Sequence, residues 1–289
     1  MILLDFSNII VGSIMVAHKV PDEERFSEEF IRHLVLNSVR SYRKKYNSKY
    51  GEMVICTDHL SSWRKVAFPY YKAHRKVQRE KQSKESGMDW TALFDTISRI
   101  TCELKEYFPY KVIQVPHAEG DDVIAVLAKY ANNTLKEPTL IVSSDKDFNQ
   151  LYKYKTIRQF SPMKQKMLSG IDAVAYLKEH IIRGDKGDGI PNVLSSDSCI
   201  VDGIRQKPIS KKKLAVWMEE PEMLNGFGDN WKRNRELIDF DYIPQELHDI
   251  ILSEYRKDKK FDEMPGRFTS YFVKNKLNYL MECKGDFIL

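Results

Sequence analysis

The chain has 289 residues, 42% of them hydrophobic, which is enough for one large domain or two ordinary ones with a sizeable core. No run approaches the ~18 apolar residues of a membrane span, and the opening Met1–Asp5 stretch is too short for a signal peptide, so a soluble cytoplasmic protein is expected. Cys56, Cys102, Cys199 and Cys283 stand far apart without a C-x-x-C pair, which argues against a zinc site or a disulfide framework. The net charge of +5 is modest, and its distribution is more informative than its size.

Met1–Leu4 is apolar and runs straight into Asp5, as a buried strand ending on a carboxylate would. A helix is predicted from Glu28 and Glu29, which sit in its first turn where the helix dipole favours them. It continues through Phe30, Leu34, Val35, Val39, Tyr42 and Tyr46, and Gly51 breaks the pattern. Met53–Thr57 is a second strand, followed at once by Asp58.

Between Arg64 and Lys84 lie eight Lys/Arg residues against one acid, Glu80, with Trp63, Phe68, Tyr70 and Tyr71 interleaved at the start. A solvated helix face would explain such a block, but charge of one sign repels itself and suits a polyanion, and aromatic rings offer stacking platforms for bases. The far end of this loop, Gln82–Gly87, is expected to lack order without nucleic acid. Asp89 then caps an amphipathic helix whose buried stripe is Leu93, Ile97, Ile100 or Thr101, Leu104 and Phe108.

Val112–Val115 is a third strand, ended by Pro116. A helix begins near Asp121, and Thr139–Val142 is a fourth strand ending at Ser143-Ser144-Asp145-Lys146-Asp147. Thr156–Phe160 is expected to be the last strand, and a helix through Ile171–Ile182 ends at Gly184. Beyond it, G-D-K-G-D-G-I-P brings Asp185 and Asp188 close together, and a more polar, basic segment with Lys211-Lys212-Lys213 follows.

An aspartate at a strand–helix junction is ordinarily a cap or turn residue. Here four strands each deliver carboxylates at the carboxyl end: Asp5, Asp58, Glu119 with Asp121, and Asp145 with Asp147. In a parallel sheet these ends share one edge, where so many negative charges call for cations. The predicted fold is α/β, a mainly parallel sheet flanked by helices. Residues 1–184 form the catalytic part, including a basic arch at 63–88, and 185–289 form a smaller helical part.

The motifs resemble the flap endonuclease, or 5′-nuclease, family, and within it the ribonuclease H branch of T-even-like bacteriophages. The family's A-E-x-D-D appears as Ala118–Asp122, its S-S-D-x-D-F as Ser143–Phe148, its G-D-x-x-D as Gly184–Asp188, and its helical arch as Tyr70–Arg75. The resemblance covers nearly the whole chain. It implies a PIN-like nuclease domain and two Mg²⁺ ions, replaceable by Mn²⁺. Glu119, Asp121 and Asp145 with one or more of Asp5, Asp58 and Asp147 would hold the first ion, and Asp147, Asp185 and Asp188 would position the second. Asp122 would sit behind these ligands, because adjacent residues at a helix start cannot face one ion equally.

The same resemblance makes Lys72 and Arg75 the neutralisers of the scissile phosphate and Tyr71 a stacking platform for the terminal base. Arg64, Lys65, Lys76 and Arg79 would contact the strand. Val193–Ile200 stands where the wider family has a glycine-rich hairpin that grips duplex, so duplex contacts fall to Lys207, Lys211, Lys212 and Lys213. The implied substrates are branched or nicked DNA and RNA–DNA hybrids, cut near 5′ ends during phage DNA replication in a bacterial host. The implied partners are a sliding clamp and a single-stranded-DNA-binding protein, and the expected state is a monomer. Phe287–Leu289 lacks the glutamine that usually leads a clamp motif. An aspartate-nucleophile phosphatase is disfavoured, since Asp5 is followed by Phe6 and Ser7 with no second carboxylate two residues on. A binding protein that never cuts would leave the carboxylates without purpose.

Overall fold

The computed structural model describes residues 1–17, 19–86, 89–219, 226–259 and 265–288. Its six-stranded sheet is built from β1 (Ile2–Asp5), β2 (Met53–Cys56), β3 (Lys111–Ile113), β4 (Thr139–Val142), β5 (Ile157–Ser161) and β6 (Lys166–Leu168). The strand order is β3-β2-β1-β4-β5-β6; β1 to β5 run parallel and β6 is antiparallel to β5. β1, β2 and β4 are buried on both faces, which is why they read as unbroken apolar runs. Side chains alternate across the sheet: Ile2 and Leu4 enter one core, Met1 and Leu3 the other.

The order reverses beside β1, so the crevice at the carboxyl ends of β1 and β4 is the topological switch point where open α/β sheets bind ligands. Register makes this concrete. Asp5 lies opposite Cys56, two residues before Asp58, and Leu4 lies opposite Val142, which sets Ser143 beside Asp5.

The structure departs from the sequence reading in places. Phe6–Val16 is a helix, capped by Asp5, whose carboxylate accepts from the Asn8 amide (3.1 Å). Its apolar run has no clear polar face to betray it. β6 adds an antiparallel edge strand after the expected last strand. The basic segment is helical over His74–Ser86, which corrects the expectation of disorder from Gln82; Gly87 lies outside the described residues. Asp89 caps the helix Trp90–Tyr107 as predicted, accepting from Thr91 and Ala92.

After residue 185, Val193, Leu194 and Trp217 gather with Ile182 into a small core of their own, whereas the later helices pack onto the sheet. Phe240, Leu247 and Ile251 pack into the β1 face that holds Leu3, while Phe268, Phe272 and Phe287 join the face that holds Leu4. Phe287 is fully buried against Phe108, Phe268 and Phe272 and serves packing here. Among the described residues, no helix is long and apolar enough to cross a membrane.

Candidate metal centre and nucleic-acid interface

Five peptide segments deliver the carboxylates to the crevice, and hydrogen bonds between the segments fix their positions. The Ser143 hydroxyl donates to Asp5 Oδ2 (2.5 Å) and itself accepts from the Asp145 amide (3.0 Å). The Asp147 amide donates to Asp145 Oδ1 (2.9 Å). Gln159 on β5 pins this turn from below, donating to the Ser143 and Asp145 carbonyls (2.9 and 2.7 Å). On the other side, the Gly120 amide donates to Asp58 Oδ1 (2.7 Å), tying the end of β2 to the start of the helix Gly120–Tyr130.

The Gly184–Ile190 loop closes the crevice. Gly184 ends the helix Ala173–Arg183 at φ +66°, where a Cβ would lie 2.4 Å from the Ile190 and Pro191 carbonyl oxygens. Gly189, at φ +76°, lies so close to the arch that a Cβ would meet the Tyr70 carbonyl at 2.8 Å. Only glycine fits these turns. The Lys72 amide donates to the Asp188 carbonyl (2.7 Å), so arch and loop are stitched together through backbone.

Burial first, and then mutual repulsion, push several of these carboxyls up. Asp147 is raised to about 7, with Asp145 the largest charged cause, and Asp121 and Asp145 are raised by burial and neighbouring aspartates. Asp5 is also raised to about 7 by burial, against the Ser143 hydrogen bond, with Asp58 adding to the rise. Glu119 behaves oppositely: burial opposes its charge, but Lys72 and Arg64 hold it down at about 2. Asp185 is likewise held low despite burial, by its hydrogen bond to His180 and by Lys146. The edge thus carries more negative charge than its cations offset. All-oxygen donors at such density fit hard divalent cations, which is the chemistry Mg²⁺ and Mn²⁺ require.

The predicted ligands therefore come together. Glu119, Asp121, Asp147, Asp185 and Asp188 line one cleft, while Asp5, Asp58 and Asp145 act electrostatically on Asp121 within it. Asp122 lies beneath the site, fully buried, accepting from the Trp63 indole (3.1 Å), the Glu119 amide (3.0 Å) and Arg64 (3.0 Å).

Two expected nucleic-acid contacts are corrected. Arg64 is only 4% exposed and fully engaged: Nη1 donates to Glu119 and Asp122 (both 3.0 Å) and Nε to the Leu237 carbonyl (2.8 Å). Its charge is consumed inside the protein and cannot reach a phosphate. Tyr71 is 3% exposed, its ring packed with Phe68, Ile190 and Leu237, and its hydroxyl lies 2.8 Å from both Glu119 and Asp188. A ring so enclosed has no free face for a base.

The other arch residues face the cleft or solvent. Lys72 Nζ lies 2.6 Å from Glu119 and 3.6 Å from Asp188, and Arg75 pairs with Asp188 at 2.6 Å. Lys65, Lys76 and Arg79 are exposed, with Arg79 resting over the Phe94 ring at 4.9 Å. Lys211, Lys212 and Lys213 are exposed on the first turn of the helix Lys211–Glu219 and do not line the acidic cleft.

Sequence reading missed His180. Its Nε2 lies 2.9 Å from Asp185 Oδ2, and the residue is buried among Asp147, Asp185 and Tyr176. The available signal was a histidine one turn before G-D-x-x-D, on a helix that a glycine turns back upon itself.

Comparison with known proteins agrees with this geometry. Residues 14–180 match the family described as the 5′-3′ exonuclease N-terminal resolvase-like domain, and residues 171–287 match that described as T4 RNase H, C terminal. The chain is 35% identical over 301 aligned residues to ribonuclease H of Enterobacteria phage T4, covering 99% of this chain and 95% of the relative. It is 31% identical over 158 residues to flap endonuclease Xni of Shewanella pealeana, covering 52% of this chain and 56% of the relative. Among solved structures, the D15 flap endonuclease of bacteriophage T5 in a complex with DNA and metal ions superposes with a TM-score of 0.63 at 15% identity, covering 95% of this chain and 98% of that one. A second D15 structure, crystallised with metal ions, gives 0.61 at 17%, covering 88% and 97%. At those identities the likeness shows the fold, whereas the matched families and the T4 relative span nearly the whole sequence. The chain belongs to the 5′-3′ exonuclease family, in the branch that contains T4 ribonuclease H.

Proposed function

We propose that the protein is a Mg²⁺-dependent 5′-nuclease that hydrolyses phosphodiesters near 5′ ends, acting on flaps, nicks and the RNA of RNA–DNA hybrids during phage DNA replication. The observation that carries this reading is the meeting of eight carboxylates from five chain segments beneath a basic arch. Glu119, Asp121 and Asp145, with Asp5 and Asp58 beside them, would hold one divalent ion; Asp147, Asp185 and Asp188 would hold its partner. Mn²⁺ would serve in place of Mg²⁺.

When bound, such ions supply a water of lowered pKa and a counter-charge for the leaving oxygen. The chain's own groups do the rest. Lys72 and Arg75 stand at the mouth of the cleft, where they would meet the scissile phosphate with positive charge as the transition state becomes most anionic. Arg64 and Tyr71 hold Glu119 in its orientation from behind, a supporting role in place of the contact with nucleic acid. The exposed lysines of the arch and of Lys211–Lys213 would steer and hold the strands through phosphate contacts. A sliding clamp and a single-stranded-DNA-binding protein are proposed as replication partners, with the nuclease itself a monomer in the host cytoplasm.

The test is cleavage of 5′-labelled flap DNA and of a nicked RNA–DNA hybrid, with Mg²⁺ and with EDTA, beside a generic phosphate monoester. The reading predicts metal-dependent release of short 5′ products and an untouched monoester. Monoester hydrolysis without flap cleavage would identify a phosphatase, and tight binding without cleavage would identify a structure-specific binder.

A further inference from the structure

His180 is a buried titratable side chain in this crevice that the metal-dependent reading leaves without a task. It sits in the helix Ala173–Arg183 with 5% of its side chain exposed. Nε2 lies 2.9 Å from Asp185 Oδ2, a carboxylate oxygen that Lys146 also approaches at 3.1 Å. A carboxylate so placed accepts and does not donate, so Nε2 carries the proton of this pair. In the neutral ring Nδ1 is then a bare lone pair. Nδ1 is buried without a hydrogen-bond partner, and Asp147 Oδ1 lies 3.5 Å from it. One ligand atom each from Asp147, His180 and Asp185 falls within 4.8 Å of the others.

We infer that His180 is a nitrogen ligand, through Nδ1, to the ion that Asp147 holds, with Asp185 accepting from Nε2–H on the far side of the ring, so that one of the two sites has a mixed nitrogen–oxygen donor set. The arrangement is that of metal-binding histidines in general, in which one ring nitrogen faces the metal and the other donates to a carboxylate that fixes tautomer and orientation. The chemical consequence is selectivity. Imidazole adds little for Mg²⁺, which prefers oxygen, and much for Co²⁺ or Zn²⁺, which take nitrogen readily. This inference rests on the metal-dependent reading above, and it predicts that the two ions are held by chemically unlike sites.

The test uses the full chain without nucleic acid. His180→Gln keeps an N–H at the position of Nε2, able to donate to Asp185, and removes the Nδ1 lone pair. Calorimetric titration with Co²⁺ should show one of the wild-type sites weakened at least about tenfold in the variant, while Mg²⁺ titrations of the two proteins should coincide. Electron spin-echo spectroscopy of the Mn²⁺-loaded protein should show imidazole nitrogen coupling in the wild type and none in the variant; a thermal melt confirms that the variant is folded. Equal Co²⁺ affinities, or the same nitrogen coupling in both proteins, would overturn the inference and leave the nuclease reading standing. Equal losses for Co²⁺ and Mg²⁺ would make His180 a positioning residue for Asp185 and also overturn it. Failure of the wild type to bind any of the three metals would sink both readings together.

Discussion

Lys72 and Glu119, 47 residues apart, are joined by a 2.6 Å ion pair that brings the basic arch onto the acidic edge of the sheet. Lys72 adopts φ +55°, unusual for a residue with a side chain, and its amide is held by the Asp188 carbonyl (2.7 Å). The ammonium is thus fixed over the carboxylates before any substrate arrives. Its charge is secure, because the attraction of Asp188 and Glu119 outweighs burial and raises its pKa.

A preorganised charge of this kind is worth about 3 kcal/mol in a transition state. Lys72→Ala should therefore slow single-turnover cleavage at saturating Mg²⁺ by roughly 10²–10³-fold. Lys211→Ala should instead weaken binding and flatten its salt dependence, as loss of one phosphate contact does. Single-turnover rates and binding isotherms at several salt concentrations check both; the reverse ranking would mean that the arch supplies affinity and the lysine run supplies chemistry.

Arg64 predicts a different phenotype from its neighbours in the basic segment. It pairs with Glu119 (3.0 Å) and Asp122 (2.8 Å), and all three are buried. Removing one partner strands the others, which costs about 3–5 kcal/mol in buried pairs. Arg64→Ala should lower the unfolding free energy by that order in denaturant titration, whereas Lys65→Ala, at an exposed position, should leave it within about 0.5 kcal/mol. Equal stabilities for the two variants would contradict the buried role given to Arg64.

Asp147 contributes, with Asp5, to the pH dependence of the metal-free protein. Its folded pKa of about 7 is raised from an ordinary value of 3.8, first by burial and then by Asp145. The folded state therefore binds this proton more tightly than the unfolded chain does. The stabilisation is complete below pH 3.8 and is lost as pH rises through 7. In EDTA, the wild type should lose stability relative to Asp147→Asn between about pH 5.5 and 7.5. Mg²⁺ at pH 7.5 should raise the wild-type melting temperature more than NaCl of matched ionic strength; free metal about a hundredfold above Kd is worth ~2.7 kcal/mol per site. A wild-type-minus-variant difference that is flat or rises with pH would contradict the assignment.

Much of this was legible in the sequence, for a physical reason. Buried parallel strands are short apolar runs, and in three of them the run stopped at or just before an acid, so the strand ends and the acidic edge announced each other. The cap at Asp89 and the glycine at 184 were legible for the same reason, since each satisfies a local backbone need. What escaped depended on tertiary contact. Arg64 and Tyr71 read as exposed because they lie in a basic, aromatic stretch, and only the fold shows them turned inward onto Glu119 and Asp122. The helix Phe6–Val16 was hidden by its own uniform hydrophobicity and by Asp5, which ends a strand and caps a helix at once. His180 was invisible as a site residue because its partners lie on other segments or across a glycine turn.

The central claim is that the converging carboxylates hold metal for hydrolysis and do not themselves hold the nucleic acid. Asp145 is the most direct place to test it, joined to Asp5 through Ser143 and to Asp147 through its amide. The measurement is Asp145→Asn assayed in parallel for single-turnover cleavage of a 5′ flap in Mg²⁺ and for binding of the same flap in Ca²⁺. The account predicts cleavage reduced by more than about a thousandfold with binding nearly unchanged. Cleavage within about tenfold of wild type, a loss of only ~1.4 kcal/mol, would contradict it.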